Sequence, residues 1–466
     1  MQIWNTLTGK KETLEISPEK ELKLFVCGPT VDNYVHIGHA RTFLVFDIII
    51  RYLRSLGQKV FYLQNITDID NKIIDRAAVE KMAPQELAKK FEEEYLKDMT
   101  SLGIDQVTQY ARATDHIKEI VSQIGTLKEK GSAYEIPNDG IYFNLSTFPE
   151  YGKLSHRTTL QAEDSVSRID ESTQKRNKGD FALWKFERPE EPAWDSPFGR
   201  GRPGWHIEDT AITEHYFGPQ YDIHGGSIDL KFPHHEAEIA QQEAASGKKP
   251  FVKIWMHTGP LLVNGQKMSK SLGNFITIKD FLEKHSPEVL RYIALTHNYR
   301  SPIDYTDGLV TQAENALKNV REFVAKLRFV SILKKNDGLE LSLKEDLKKE
   351  QEQFHAAMQD DFNSAYALGE HVLGVGYAYQ DKIWNLKSVD ANELTKYLET
   401  MFKMVALEVK PKRIPDDILI LTQNREDLRS KKLFAESDIE RKKIEEMGYT
   451  LEDTPLGPFI WPKNSS

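Results

Sequence analysis

The chain is predicted to be an α/β protein: a Rossmann-like parallel sheet carrying an insertion, followed by a helical bundle and a small C-terminal domain. Three observations predict this. A strand–helix–strand pattern opens the chain, a turn-rich stretch interrupts it, and a long, glycine-poor run of helical periodicity follows.

Residues 22–27, Leu-Lys-Leu-Phe-Val-Cys, read as a short buried strand stopped by Gly28-Pro29. From Arg41 to Leu56, Leu44, Ile48, Tyr52 and Leu56 recur at helical spacing, and Gly57 is a natural stop. Val60-Phe61-Tyr62-Leu63 is a second strand, which completes a βαβ unit. In such units ligands sit at the carboxyl ends of the strands, where Cys27 and the loop His36–His39 fall. Residues 84–131 are mostly amphipathic helix. Residues 132–200 are rich in turns (Pro137, Asp139-Gly140, Tyr151-Gly152, Pro189 to Pro197). From Gly204 a Gly- and His-rich apolar composition resumes, and Asn264-Gly265 between Leu-Leu-Val and Gln-Lys-Met signals a hairpin. Residues 308–410 are nearly all helical pattern, Pro411 to Pro415 mark a linker, and 416–466 read as two helices with an irregular, Pro-containing end. The expected division is 1–110 with 200–250 for the sheet domain, 111–199 for the insertion, 251–307 for a hairpin-bearing region, 308–410 for the bundle and 411–466 for the last domain.

Bulk properties narrow the class. A chain of 466 residues is too long for one core. Composition is that of a globular protein, 39% hydrophobic and 29% charged. No apolar run is long enough to span a membrane, and the first residues lack a basic segment followed by an apolar one. The one cysteine, Cys27, excludes an intrachain disulfide. A cytoplasmic monomer without membrane contact is expected. The net charge of −9 argues against a general nucleic-acid binder, so any nucleic-acid contact needs lysines and arginines gathered on one face.

Two motifs carry the chemistry. His36-Ile37-Gly38-His39 lies where a strand passes into a helix. Gly38 lets backbone approach a phosphate, the helix N-terminus favours an anion, and histidine N–H donors would stabilise charge that develops in a transition state. Lys267-Met268-Ser269-Lys270-Ser271 follows the hairpin. Lysines on a mobile loop suit a leaving pyrophosphate. Alone, either motif could be two histidines at a helix start or a solvated basic loop. In this order and on these elements they suit an ATP site that transfers an adenylyl group.

The two strings are similar to the HIGH and KMSKS motifs of class I aminoacyl-tRNA synthetases. With Cys27-Gly-Pro-Thr30, Asn65-Ile-Thr-Asp-Ile-Asp70, Gly201-Arg-Pro-Gly-Trp-His-Ile-Glu208, Asp222-Ile-His-Gly-Gly226, Phe232-Pro-His-His-Glu236 and Trp255-Met-His-Thr-Gly259, the chain resembles the cysteinyl-tRNA synthetases over nearly its whole length. The resemblance implies ligation of L-cysteine to tRNA(Cys) through a cysteinyl-adenylate, with ATP and Mg2+. It implies a catalytic sheet domain, a connective insertion at 111–199, a stem-contact region at 251–307 and an anticodon-binding domain at 411–466. It assigns His36, His39, Lys267 and Lys270 to catalysis. Thr30, Gly38, Gly226 and Asp229 would contact ATP or the adenylate. Thr67, Trp205 and His206 would shape the cysteine pocket.

The family holds one Zn2+ with two cysteines, a histidine and a glutamate, and the matching positions are Cys27, Asp209, His234 and Glu238. Asp209 replaces a cysteine. It keeps the anionic charge of a thiolate but makes the site harder. His234 and Glu238 lie four apart on an expected helix and so share a face. Asp32 stands where tyrosine is usual. At the other end, Arg425, Arg429, Lys431, Lys432, Arg441, Lys442 and Lys443 are interleaved with acids, a weak charge footprint by itself. The resemblance assigns anticodon reading to Arg429, Phe434, Asp438 and Asp453, with Phe434 where tryptophan is common. A ligase joining cysteine to a small amine would have no need of residues 308–466. A tRNA-binding protein with a dead site would have no need of His36, His39, Lys267 and Lys270.

Overall fold

The computed structural model describes residues 1–157, 172–333 and 341–463. Part of the expected insertion (158–171) and a short stretch of the expected bundle (334–340) lie outside them. The chain forms two compact units, Met1–Lys284 with Tyr299–Tyr305, and His285–Asn298 with Thr306–Ser466.

The first unit is built on five parallel strands. These are β1 (Leu22–Val26), β2 (Val60–Ile66), β3 (Gln109–Arg112), β4 (Tyr221–Ser227) and β5 (Val252–Thr258), in the spatial order β5-β4-β1-β2-β3. The chain runs outward from β1 to β3, then returns to the other side of β1 with β4. That reversal leaves a crevice at the carboxyl ends of β1 and β4, the place where open α/β sheets bind ligands. β1, β2 and β4 are buried on both faces, as a covered parallel sheet requires. Helix α1 (Ile37–Ser55) connects β1 to β2, α2 (Ile207–Phe217) precedes β4, and α3 (Glu236–Ser246) connects β4 to β5. A Cβ on Gly225 would lie 2.2 Å from the ring of Phe46. Only glycine lets α1 pack this closely on β4.

Some elements differ from the sequence reading. The expected helix over 84–131 is two helices, Pro84–Ser101 and Ile117–Glu129, separated by β3. A four-residue strand is too short to interrupt helical periodicity visibly. α1 starts at Ile37 rather than Arg41, because His36 caps it. β5, the first strand of the 251–307 segment, is hydrogen-bonded into the main sheet. The turn-rich insertion holds a four-stranded antiparallel sheet, Ala133–Ile136, Gly140–Phe143, Phe181–Phe186 and Gly201–Pro203. Its Phe143, Leu183 and Trp184 share a core with Phe25, Leu63 and Trp255. The hairpin forms at Asn264-Gly265, both at positive φ (50° and 75°), between Leu261–Val263 and Gln266–Lys267. Ile303–Tyr305 adds a parallel strand beside it.

The second unit is helical, with long helices at Asp307–Leu333, Leu341–Gln359 and Ser388–Met404. Its end is not irregular, as the prolines suggested. After Asp416–Ser430 and Phe434–Glu446 comes an antiparallel hairpin, Tyr449–Thr454 with Gly457–Pro462. A two-stranded ribbon has only edges, so Pro458 and Pro462 are tolerated in it. Ile418, Ile444 and Leu451 form its small core.

Candidate functional site

The N-terminus of α1 is organised by its two histidines. His36 is the N-cap, and its Nδ1 accepts from the Gly38 N–H at 3.0 Å. The His36 N–H in turn donates to His39 Nδ1 at 3.5 Å, and the two rings stack 3.9 Å apart. With both Nδ1 atoms accepting, the proton of each neutral ring sits on Nε2, so each presents one N–H donor. Burial and the nearby Lys267 push His36 down to about 4. Burial, His36 and Lys72 hold His39 well below the usual histidine range. Both are therefore uncharged donors at neutral pH. A Cβ on Gly38 would meet the His36 ring at 2.8 Å and Met268 at 2.9 Å, so glycine is what allows this fold-back.

A cavity of about 280 Å³ opens over this helix end, at the carboxyl edge of the sheet. Cys27, Thr30, Gly38, Thr67 and Trp205 are in its wall with both histidines, and Asp229, Lys267 and Met268 face it from the other elements. Lys267 pairs with Asp229 at 3.0 Å, both well exposed, and this pair joins two of the residues expected to contact ATP. Lys270 lies on the ring of Phe275, 5.6 Å from its centroid, and is not part of the cavity wall. Gly226 is not part of it either. A Cβ there would meet the His235 ring at 2.8 Å, so this glycine makes room for an imidazole.

Behind Trp205 lies a buried cluster centred on His234 Nε2. Asp209 Oδ2 and Glu238 Oε1 are each 3.1 Å from it, and Cys27 Sγ is 3.6 Å away. His234 sits in a wide turn just before α3, and still meets Glu238 four residues on. His206 Nδ1 holds the other nitrogen of His234 at 2.9 Å, and Trp205 stacks on its ring at 4.5 Å. Asn65 donates to Asp209 Oδ1 at 2.6 Å, leaving Oδ2 to face the cluster.

Three of these residues fit a zinc ion: the ligand atoms of Cys27, Asp209 and His234 all lie within 4.8 Å of one another, whereas Glu238 groups with His224 and His235. Bonds of about 2.0–2.3 Å around a tetrahedral zinc put neighbouring ligand atoms roughly 3.3–3.8 Å apart, close to the spacing of Asp209 and Cys27 from His234. Both oxygens of Glu238 are buried without a hydrogen bond, a costly state for a carboxylate unless a cation faces it. Burial, then Asp209 and Glu238, push the Cys27 thiol up. Burial, then Asp209 and Glu208, push Glu238 up. A divalent ion beside Cys27 and Glu238 would favour the charged form of each. A second approach to Glu238 comes from His224, Nδ1 to Oε2 at 3.5 Å.

The structure thus brings together Cys27, Thr30, His36, Gly38, His39, Thr67, Trp205, Asp229 and Lys267 around one cavity, whereas His206, Asp209, His234 and Glu238 are buried outside its lining, next to Cys27 and Trp205. The Thr67 hydroxyl is engaged by the buried Glu208. Sequence reasoning assigned no role to Asn65, Glu208 or Lys72. Asn65 also accepts from the Gly28 N–H at 2.6 Å, which ties β1 and β2 to the Asp209 carboxylate. Its place in the Asn65–Asp70 string was the available signal. In the second unit, Arg429, Phe434 and Asp438 are exposed. Asp453 is instead held by the buried Arg425 through two hydrogen bonds of 2.8 Å. These lower its pKa and leave its carboxylate engaged within the domain.

Residues 13–315 match the family described as tRNA synthetases class I (C) catalytic domain. The chain is 42% identical over 482 residues to a protein of Thermococcus onnurineus (strain NA1) named "Cysteine--tRNA ligase", covering 100% of this chain and 99% of that one. A protein of the same name from Thermoplasma acidophilum is 41% identical over 468 residues, covering 99% of this chain and 100% of the other. Among solved structures, Mycobacterium tuberculosis methionyl-tRNA synthetase in complex with methionyl-adenylate superposes with a TM-score of 0.59 at 15% identity, over 83% of this chain and 89% of that one. At that identity the likeness concerns the fold.

Proposed function

Because the chain belongs to the cysteine–tRNA ligases, a family of class I aminoacyl-tRNA synthetases that aminoacylate tRNA, we propose that it activates L-cysteine as cysteinyl-adenylate at the α1 cavity and transfers it to tRNA(Cys). The observation that carries this reading is one cavity lined by the paired histidines, Lys267 and Cys27, with Asp209 and His234 clustered on that same cysteine.

ATP lies with its phosphates toward the N-terminus of α1, whose positive dipole end favours anions. The Nε2–H donors of His36 and His39 face the α-phosphate, where charge grows as the cysteine carboxylate attacks in line. Their neutrality matters, because a donor that needs no counter-ion is preorganised at no further cost. Lys267 exchanges Asp229 for the β- and γ-phosphates, freeing Asp229 to accept from the ribose. Lys270 moves in from Phe275 as pyrophosphate leaves with Mg2+. Cys27, Asp209 and His234 would hold zinc, with Glu238 next to His234 as the fourth expected ligand; when bound it supplies a soft acceptor for the substrate thiolate and so separates cysteine from serine. Trp205 and His206 fix the orientation of His234. The terminal ribose hydroxyl of the tRNA then attacks the adenylate carbonyl. No protein group within the cavity is placed as an obvious general base, so positioning and electrostatics carry the rate.

Pyrophosphate–ATP exchange that depends on cysteine, and is not supported by serine, tests this reading. Lys270→Ala is expected to slow adenylate formation by about 100-fold in rapid quench with cysteine affinity unchanged. Equal rates would remove Lys270 from the reaction.

A further inference from the structure

We propose that Arg41 is a positioning residue for adenylation: it fixes the root of the Lys267–Lys270 loop against the helix that carries His36 and His39. This rests on the reading of those four residues given above.

Arg41 lies on α1, one turn beyond His36, and is 1% exposed. Its guanidinium meets backbone carbonyls of two separate segments. Nη1 donates to Gly259 O and Pro260 O, each at 2.6 Å. Nη2 donates to Tyr299 O at 3.3 Å and to Ser301 O. Gly259-Pro260 is the link from β5 into Leu261–Val263, the strand that enters the hairpin and delivers Lys267. Tyr299–Ser301 leads into Ile303–Tyr305, the parallel partner of that strand. Four carbonyl oxygens thus converge at one buried point, where their like-signed ends would repel without a cation. No carboxylate is among these acceptors. Consistently, burial alone pushes Arg41 down to about 10, because the site gives it dipoles and no counter-charge.

The two segments touch directly. A Cβ on Gly259 would lie 2.4 Å from Ser301 O and 2.6 Å from Arg300 O. The far end of the loop is also tied to α1. Ile37 N donates to Ile276 O and Ile278 N to Val35 O, each at 3.1 Å, around the bridge of His36 with Thr277. The loop that carries the lysines is therefore anchored at entry by Arg41 and at exit by the backbone of the histidine motif. Both ends are thus held beside the cavity, whose wall includes Lys267 and Met268. Lysine cannot replace Arg41: an ammonium presents its donors from one point and does not fork across two segments.

The test uses full-length Arg41→Ala, Arg41→Lys and Gly259→Ala, each checked for folding by thermal unfolding. Exchange kinetics are expected to show kcat down about 100-fold in Arg41→Ala and about tenfold in Arg41→Lys, with cysteine KM unchanged. Guanidinium at sub-denaturing concentration is expected to restore Arg41→Ala and not Arg41→Lys. If Arg41→Ala does not fold, Arg41→Lys and Gly259→Ala carry the comparison, since Gly259→Ala forces the two segments apart with the arginine intact. A second readout needs no turnover. ATP is expected to shield Lys267 and Lys270 from trypsin in the unsubstituted chain, and less so in the variants. Variants that match the unsubstituted chain in both readouts overturn the proposal while the adenylation reading stands. Losses that merely track the folded fraction, without change in kcat per folded molecule or in shielding, overturn it too. A chain without cysteine-dependent exchange, but with the shielding difference intact, overturns the adenylation reading and leaves the anchoring role of Arg41 supported.

Discussion

His36 combines two roles on one ring: Nδ1 closes the first turn of α1 and Nε2–H is left to donate. Nδ1 can accept only while the ring is neutral, and burial beside Lys267 ensures that it is. Since the folded-state value of about 4 lies below the ordinary 6.5, the unfolded chain binds a proton that the folded chain refuses between those limits. Stability therefore rises with pH across that window and is lost as pH falls from 6.5 toward 4. His36→Asn keeps a capping acceptor but does not titrate, so its denaturant midpoint should fall less than that of the unsubstituted chain between pH 6.5 and about 4.5. Asp209 invites a different test. Asp209→Cys should tighten zinc binding in a competition titration against a chelator and keep activity, because a thiolate is the softer ligand. Equal or weaker binding would remove Asp209 from the ligand set. The residues of this site were readable in sequence where they sit in contiguous strings, as Cys27, His36 and Lys267 do. Asn65 was not assigned, because its importance comes from joining Gly28 to Asp209 across two strands.

At the level of elements, α1 and the lysine hairpin do most of the placing. The helix was foreseen from Leu44, Ile48 and Tyr52, but its start was set four residues late, because histidine is an uncommon cap and periodicity says nothing about caps. The hairpin was foreseen from Asn264-Gly265, and both residues take the left-handed conformation that a tight two-residue turn requires. Gly265→Ala should cost about 1 kcal/mol of unfolding free energy, read from denaturant curves, and should raise the KM for ATP by loosening Lys267. Unchanged values in both would mean that the turn is not what holds the loop. The C-terminal hairpin escaped notice because Pro458 and Pro462 argue against strands in general, and edge positions excuse them only once the pairing is known.

At the level of the whole chain, the two units are expected to divide the chemistry from the reading of the anticodon. Every group of the cavity lies in the first unit, so both steps of the proposed reaction are expected there. No described helix is long and apolar enough to cross a membrane, and the net charge of −9 means that a polyanion must be met by local groups. Arg429, Lys431, Lys432 and Lys442 are exposed, and so is Phe434, at 56%, the aromatic on which a base is expected to stack. Phe434→Ala should lower kcat/KM for tRNA charging by about tenfold and leave cysteine-dependent pyrophosphate exchange untouched. A loss in both assays would show that the substitution acts through folding.

The sequence alone determined the class, the order of the elements and the histidine and lysine motifs, because each depends on neighbours within a few residues: a periodic face, a turn pair, a glycine between two histidines. Tertiary structure decided the rest. Strand order placed β4 beside β1, and Asp209 and His234 met Cys27 across about 180–210 positions of chain. Packing made the histidines neutral, set the Arg41 guanidinium on carbonyls more than 200 residues away, and engaged Asp453 with Arg425 rather than leaving it free. Burial and long-range pairing are properties of the assembled fold, and no local pattern encodes which distant group a side chain will meet.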